Sequence, residues 1–343
     1  MTTKNVLVLG ASYGALFGVK LALAGHRATL VCTGPTAALI RREGVRVRFP
    51  VKGRDAPVEV ASRGLPGELT AATPDAVDPA DFHLVVLAMQ EAQYAAAGVR
   101  ELMQRIAAAR VPCLAIMNMP PLPFLARIPG LATAALEGAY TDPGVWEGFD
   151  AGLVSLASPD PQAFRPAGEP KNVLMVGLAT NFKAGPFADS AHNALLRTLE
   201  ADIEAARFTV DGTPIDIPVK LKVHDSNFVP LAKWPMLMTG NYRSIRADDM
   251  ISIRDAVHGD LARSREIYAW VTRLCFDLGA KPEDLVPFEK YAKAAEGLGK
   301  PSSAARALFG GAEHIERVDA LLWQIAEQRG TRCDALDEIV ALV

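Results

Sequence analysis

Two hydrophobic patterns alternate over residues 5–33. Val6-Leu7-Val8-Leu9 is an unbroken apolar run, the signature of a strand buried on both faces. Gly14 to Gly25 carries apolar residues at helical spacing (Leu16, Phe17, Leu21, Leu23) and stops at a glycine, which suits a helix C-terminus. Arg27 to Cys32 is again apolar and β-branched. The pattern predicts strand, turn, helix and strand. Ala37 to Arg42 then reads as a short helix closed by Gly44, and Val45 to Phe49 alternates like a strand with Val58 to Ala61 as its partner. Phe82–Ala88 and Val111–Met117 are buried strands on either side of an alanine-rich helix from Ala92 to Ala109. Such alternation belongs to a parallel, doubly wound sheet.

The pattern changes after Pro129, where Gly and Pro become frequent. Gly152–Ala157 and Asn172–Leu178 read as antiparallel strands, Ala194–Ala206 as a helix, and Phe208–Val210 and Ile215–Val223 as strands. From Ser226 onward there is no strand pattern. Leu261–Leu278, Pro282–Ala294 and Ala312–Gln328 are amphipathic helices by spacing. The boundary falls near Lys220–Asp225. Residues 1–222 are then an α/β domain and residues 223–343 an all-helical one.

Composition narrows the function. The chain has 343 residues, enough for two cores, with 50% hydrophobic and 22% charged residues and a net charge of −3. That balance gives no electrostatic case for nucleic acid or an anionic membrane as partner. No apolar stretch approaches a membrane span. A strand by residue 5 leaves no room for a signal peptide, so a cytoplasmic protein is expected. Cys32, Cys113, Cys275 and Cys333 are scattered without a CxxC pair, so no metal site is expected.

The turn after the first strand carries the candidate chemistry. Gly10-Ala-Ser-Tyr-Gly14, with Gly18 four residues on, opens a helix directly after a buried strand. Such a helix presents free N–H groups and the positive end of its dipole, and glycines let a diphosphate approach. The spacing departs from the usual GxGxxG, with Ser12 near the place of the middle glycine. The expectation is a dinucleotide site on a Rossmann-type doubly wound sheet. The second strand ends in Cys32-Thr33-Gly34, with no acid to hold ribose hydroxyls. Thr33, with Arg41 or Arg42, can take a 2′-phosphate instead, which favours NADP over NAD.

The segment GASYGALFGVKLALAGHRATLVCTG…LIRREGVRV resembles the start of the ketopantoate reductase family. Asn118 follows a strand as that family's asparagine beside the nicotinamide does. Lys233 and Asn241, in LAKWPMLMTGNYRSI, resemble its catalytic lysine and a substrate-side asparagine. Pro301-Ser302-Ser303 with GGAEHIERVDALL resembles its C-terminal segment. The resemblance implies an N-terminal NADP-binding domain, a helical C-terminal domain and a cleft between them where a 2-oxo acid is reduced. It implies Lys233 as general acid, its pKa lowered by partial burial or a cationic neighbour. Glu313 would hold the substrate or polarise a water, with Glu316 as the alternative. Ser303 would bind the substrate carboxylate and Ser302 cap a helix. Gly10, Ser12, Tyr13, Gly14, Thr33, Arg41, Met89, Gln90 and Asn118 would contact the cofactor. Among the histidines, His224 precedes this site and is the one to test, whereas His258 and His314 are expected to be exposed or hydrogen-bonded.

Two departures bear on the substrate. Met89-Gln90 stands where the family often has a lysine, and Leu237 where an asparagine follows the catalytic lysine by one turn. A bulkier or less hydroxylated 2-oxo acid than ketopantoate, or an imine of one, fits the lost polar group. The alternatives are an opine-type dehydrogenase and a non-catalytic NADP-binding sensor. The long middle section, Thr141 to Val219, could serve a homodimer contact.

Overall fold

The computed structural model describes residues 2–343 and divides into two compact units. The first takes the chain up to Met89, then Ala96–Met117 and Val145–Asp225; the second takes Gln90–Ala95, Asn118–Gly144 and Ser226–Val343. A single cut at residue 222 therefore misses two earlier segments, 90–95 and 118–144. The second of these is tied to the helical unit by Gln328, which bonds the Ala132 N–H and carbonyl at 3.0 and 3.1 Å.

The first unit holds β1 (Asn5–Leu9), α1 (Tyr13–Leu23), β2 (Arg27–Val31), α2 (Gly34–Glu43), β3 (Arg46–Phe49), β4 (Val58–Ala61), β5 (Glu68–Ala72), β6 (Leu84–Leu87), α3 (Val99–Ala109) and β7 (Cys113–Ile116). After the return at Val145 come β8 (Val154–Ser158), β9 (Gln162–Phe164), β10 (Val173–Leu178), β11 (Phe182–Ala184), α4 (Ser190–Ala205), β12 (Phe208–Val210), β13 (Thr213–Ile215) and β14 (Leu221–Val223). The main sheet has eight strands in the order β14-β11-β8-β7-β6-β1-β2-β5, parallel except where β8 meets β11. Val6 to Leu9 and Leu84 to Leu87 are fully buried, as the apolar runs of a central parallel sheet require.

A second sheet runs β4-β3-β10-β9. The two middle-section strands expected to be antiparallel lie in different sheets, each with one antiparallel and one parallel neighbour. β8 pairs β11 antiparallel and β7 parallel, and β10 pairs β9 antiparallel and β3 parallel. Apolar pattern alone does not choose an edge; all five residues of β8 are buried, which suits insertion beside β7.

The second unit is helical: α5 (Ile253–His258), α6 (Leu261–Asp277), α7 (Phe288–Ala295), α8 (Ser303–Phe309), α9 (Val318–Gln328) and α10 (Asp334–Leu342), with short turns at 122–125 and 230–241. Its strand-like pairing among the described residues is one bridge, Ile245 to Met250. The helix expected from Ala312 begins at Val318. Gly311, at φ +81°, ends α8, and residues 312–317 run as irregular chain. The alanine-rich stretch from Ala92 also splits, into a 3₁₀ turn at Glu91–Ala95 and α3, with Gly98 at φ +78° before the helix. No helix among the described residues is long and apolar enough to cross a membrane.

Candidate functional site

In the first unit the chain turns from β1 into α1 at Gly10, whose φ is +107°. A Cβ there would stand 2.7 Å from the Ala88 carbonyl oxygen and 2.8 Å from Met89 Cγ. Only glycine combines that dihedral with so close a pass of the end of β6. A Cβ on Gly14 would stand 2.7 Å from Val8 Cγ1. Ser12 is exposed at the N-cap position but makes no side-chain cap, and the first turn of α1 carries no acid. The unsatisfied N–H groups and the positive helix end are thus neither capped by a side chain nor neutralised. These residues fit a nucleotide diphosphate.

Three expected ligands are engaged elsewhere. The Tyr13 hydroxyl donates to the Pro161 carbonyl at 2.6 Å, and its ring stands edge-on to Phe182 at 5.7 Å. Its side chain therefore anchors the loop before β9. Arg41 donates to the Ala71 carbonyl at 3.0 Å, and Arg42 pairs with Glu43 at 2.6 Å. Both arginines brace the surface around α2. Thr33 is exposed at the N-cap of α2, its hydroxyl donating to Thr36 at 3.1 Å. Beyond Val31 there is no carboxylate at the end of β2, in keeping with the sequence.

A cleft lies wholly within the second unit. Its polar lining is Gln90, Asn118, Asn241, Tyr242, Ser303 and Glu316; its apolar lining is Leu237, Ala304, Ala307 and Ile315. The chain from Pro230 to Asn241 passes from 3₁₀ through one α turn into a π turn at Leu237–Asn241. The Tyr242 N–H bonds the Leu237 carbonyl at 2.9 Å and closes the wide turn, a geometry common at functional sites. Gly240 is required inside it, because a Cβ would overlap the Tyr291 hydroxyl. Leu237 and Asn241 then share the face that lines the cleft.

Ser302 caps α8, its hydroxyl accepting the Ala305 N–H at 3.0 Å while its own N–H donates to Ser244 Oγ at 3.0 Å. Ser303, the first helical residue, faces the cleft without that duty. Glu316 is the carboxylate of the cleft. It accepts from Asn118 Nδ2 and from the Glu91 N–H, both at 3.4 Å. Tyr242 fixes the chain there: its hydroxyl donates to the Glu316 carbonyl and accepts the Val318 N–H at 2.9 Å. Burial pushes the Glu316 carboxyl up to about 7, the nearby Glu91 carboxylate adding to the effect and the hydrogen bonds opposing it. Glu91 is itself buried and raised by burial, held by the Thr141 N–H at 3.1 Å and hydroxyl at 2.8 Å. The Asn118 amide oxygen is buried without a hydrogen-bond partner among the described residues.

Glu313 is exposed and outside the cleft, a correction to its assignment as the active-site carboxylate. Because 312–317 is not helical, the chain turns inward only at Ile315, and Glu316 follows it. Lys233 ends the 3₁₀ turn, half-buried, one helical turn before Leu237 and two before Asn241; it is not among the residues lining the cleft. Met89 abuts Gly10 in the first unit, whereas Gln90 lines the cleft of the second. His224 lies in the first unit, His258 bonds the Ala292 carbonyl at 2.9 Å, and His314 is exposed. Sequence reasoning passed over Tyr242, Ile315 and the backbone donor Glu91; nothing in local spacing marks them.

No family model and no curated protein sequence matches the chain. Solved structures do. A PanE/ApbA-family ketopantoate reductase from Ralstonia eutropha JMP134 superposes with a TM-score of 0.66 at 17% identity, over 98% of this chain and 96% of that one. The fold is that of the ketopantoate reductases. The 2-dehydropantoate 2-reductase from Methylococcus capsulatus agrees, with a TM-score of 0.66 at 15% identity over 98% and 95% of the chains. So does a D-mandelate dehydrogenase solved with NADH and anilino(oxo)acetate, at 0.65 and 13% over 98% and 96%. At these identities the agreement is one of architecture: a Rossmann-type sheet followed by a helical C-terminal region.

Proposed function

We propose that the protein is a nicotinamide-dependent reductase of the ketopantoate reductase type, converting a 2-oxo acid to a 2-hydroxy acid, with NADPH as its preferred cofactor. One observation carries the reading. Asn118, Asn241, Ser303 and a near-neutral Glu316 come from four separate stretches of chain to face one cleft. Packing alone would fill such a place with apolar groups, since an unpaired buried amide oxygen such as that of Asn118 costs stability.

The cofactor, when bound, supplies hydride. The chain's residues do the rest. Ser303 and the Asn241 amide donate hydrogen bonds to the substrate carboxylate and fix its orientation. Glu316, protonated in much of the population near neutral pH, adds a donor without adding a charge that would repel the acid. By its resemblance to the family's catalytic lysine, Lys233, one helical turn before Leu237 of the cleft, is assigned the proton that the carbonyl oxygen takes. Leu237, Ile315, Ala304 and Ala307 offer the substrate's side chain an apolar wall. A 2-oxo acid with an aliphatic or aromatic side chain fits that wall better than a hydroxylated one. The anilino(oxo)acetate in the D-mandelate dehydrogenase structure, an oxo acid derivative with an aromatic group, supports this direction.

The test is oxidation of NADPH and NADH with a panel of 2-oxo acids, ketopantoate among them, each with and without an added amino acid. Turnover with the oxo acid alone is expected, fastest for apolar side chains. Turnover only with the amine present would make the enzyme opine-type. Tight nucleotide binding with no turnover on any of them would make it a sensor.

A further inference from the structure

The end of β2 lacks the acid that holds an NAD ribose, and the two arginines that sequence spacing offers for a 2′-phosphate are turned to Ala71 and Glu43. Another cation stands there. Arg165 follows β9 in the second sheet, far from the glycine turn in sequence, yet its Nη2 lies 3.3 Å from the Ala11 carbonyl oxygen. Its charge, after that of Arg41, also opposes the rise that burial imposes on the Cys32 thiol. The guanidinium is held by the second residue of the glycine turn and lies near the residue just past β2. In doubly wound folds the adenosine ribose lies between those two points.

Three features hold Arg165 in place and available. Tyr13, in the first turn of α1, bonds the Pro161 carbonyl just before β9. β9 is paired to β10, with Phe164 opposite Met175, and β10 to β3, which follows α2. The acids nearest in sequence are taken by other cations: Asp160 by Lys183 and Glu169 by Arg48, each at 2.9 Å. Arg165 is thus exposed with one carbonyl as its hydrogen-bond partner, and the remaining N–H donors of its fork suit a phosphate. An arginine there for packing alone would sit against a carboxylate or bury its stem.

The geometry points to Arg165 as the residue that reads the 2′-phosphate of NADPH, reaching the adenosine ribose from the second sheet beside Thr33. This rests on the nucleotide reading above and deepens it: the discriminating cation comes from the inserted β9–β10 hairpin instead of the strand end that carries it in sequence.

Titration calorimetry of wild type, Arg165→Ala, Arg165→Lys and Arg41→Ala with NADPH and with NADH tests it. The expected result is at least tenfold weaker NADPH binding in Arg165→Ala with NADH unchanged within twofold, partial rescue by lysine, and less than threefold change for Arg41→Ala. Equal weakening of both nucleotides, no weakening of either, or a wild type that prefers NADH overturns the assignment, as does loss of the folded state in both Arg165 variants. The two readings separate cleanly. A wild type that binds NADPH with Arg165-dependent selectivity but reduces no oxo acid removes the reductase and leaves Arg165. A wild type that binds neither nucleotide removes both.

Discussion

The glycine turn of the first unit and the cleft of the second are built from very different lengths of chain. Gly10, Ser12, Gly14 and Thr33 are neighbours in sequence as well as in space, because one strand–helix–strand unit brings them together. The cleft collects Gln90, Asn118, Leu237, Asn241, Ser303 and Glu316, which share no local element. The first site is a property of a backbone motif: uncapped N–H groups and a helix dipole, to which side chains contribute little. The second is a property of side chains, each held by a different support. Substitutions should therefore hurt the turn through stability and the cleft through chemistry.

The largest expected effect tests that contrast at the chemical end. Lys233→Ala should lower kcat at least a hundredfold, about 3 kcal/mol of barrier, with nucleotide affinity and melting temperature near wild type. Retention of turnover within tenfold would remove Lys233 from the chemistry. At the structural end, Gly10→Ala forces a side chain into a left-handed conformation against the Ala88 carbonyl. It should cost about 3 kcal/mol of stability, read as a lowered denaturation midpoint, before any effect on binding is considered.

Glu316 sharpens the comparison through pH. Its carboxyl titrates near 7 in the folded state, against about 4.3 in an unfolded chain. The native state therefore binds the extra proton, and stability falls as pH rises through this window. Glu316→Gln should abolish that fall, gaining on the order of 2 kcal/mol over wild type at pH 8 relative to pH 4, by denaturant titration at each pH. KM for an anionic oxo acid should rise above pH 7 in wild type and stay flat in the variant. The smallest effects come last. Ser303→Ala should raise KM about fivefold, roughly the net worth of one hydrogen bond. Glu313→Ala, at an exposed position, should change kcat, KM and stability by less than twofold or about 0.5 kcal/mol.

What could be read in advance follows the same division. The β1–α1–β2 unit, the buried runs of β6 and β7 and the helical character after Ser226 announce themselves through local periodicity. Asn118, Asn241 and Ser303 could be named from a family resemblance, but their convergence could not be read from spacing. Between Glu313 and Glu316 the spacing from Ser303 does not decide. The irregular stretch up to Arg317 turns Glu316 inward. Arg41 and Arg42 lay at the expected place in sequence, whereas Arg165 enters through a sheet whose strands β3 and β10 are separated by most of the first unit.

By itself the amino-acid sequence determined the alternation of strands and helices, the glycine turn and the missing acid after β2, because each depends on neighbours a few residues apart. Tertiary structure alone decided which segments join the helical unit, which carboxylate enters the cleft and which arginine reaches the Ala11 carbonyl of the glycine turn. Those outcomes depend on which strand edges pair and which side chains are desolvated together, and both are set by contacts between residues far apart in the chain.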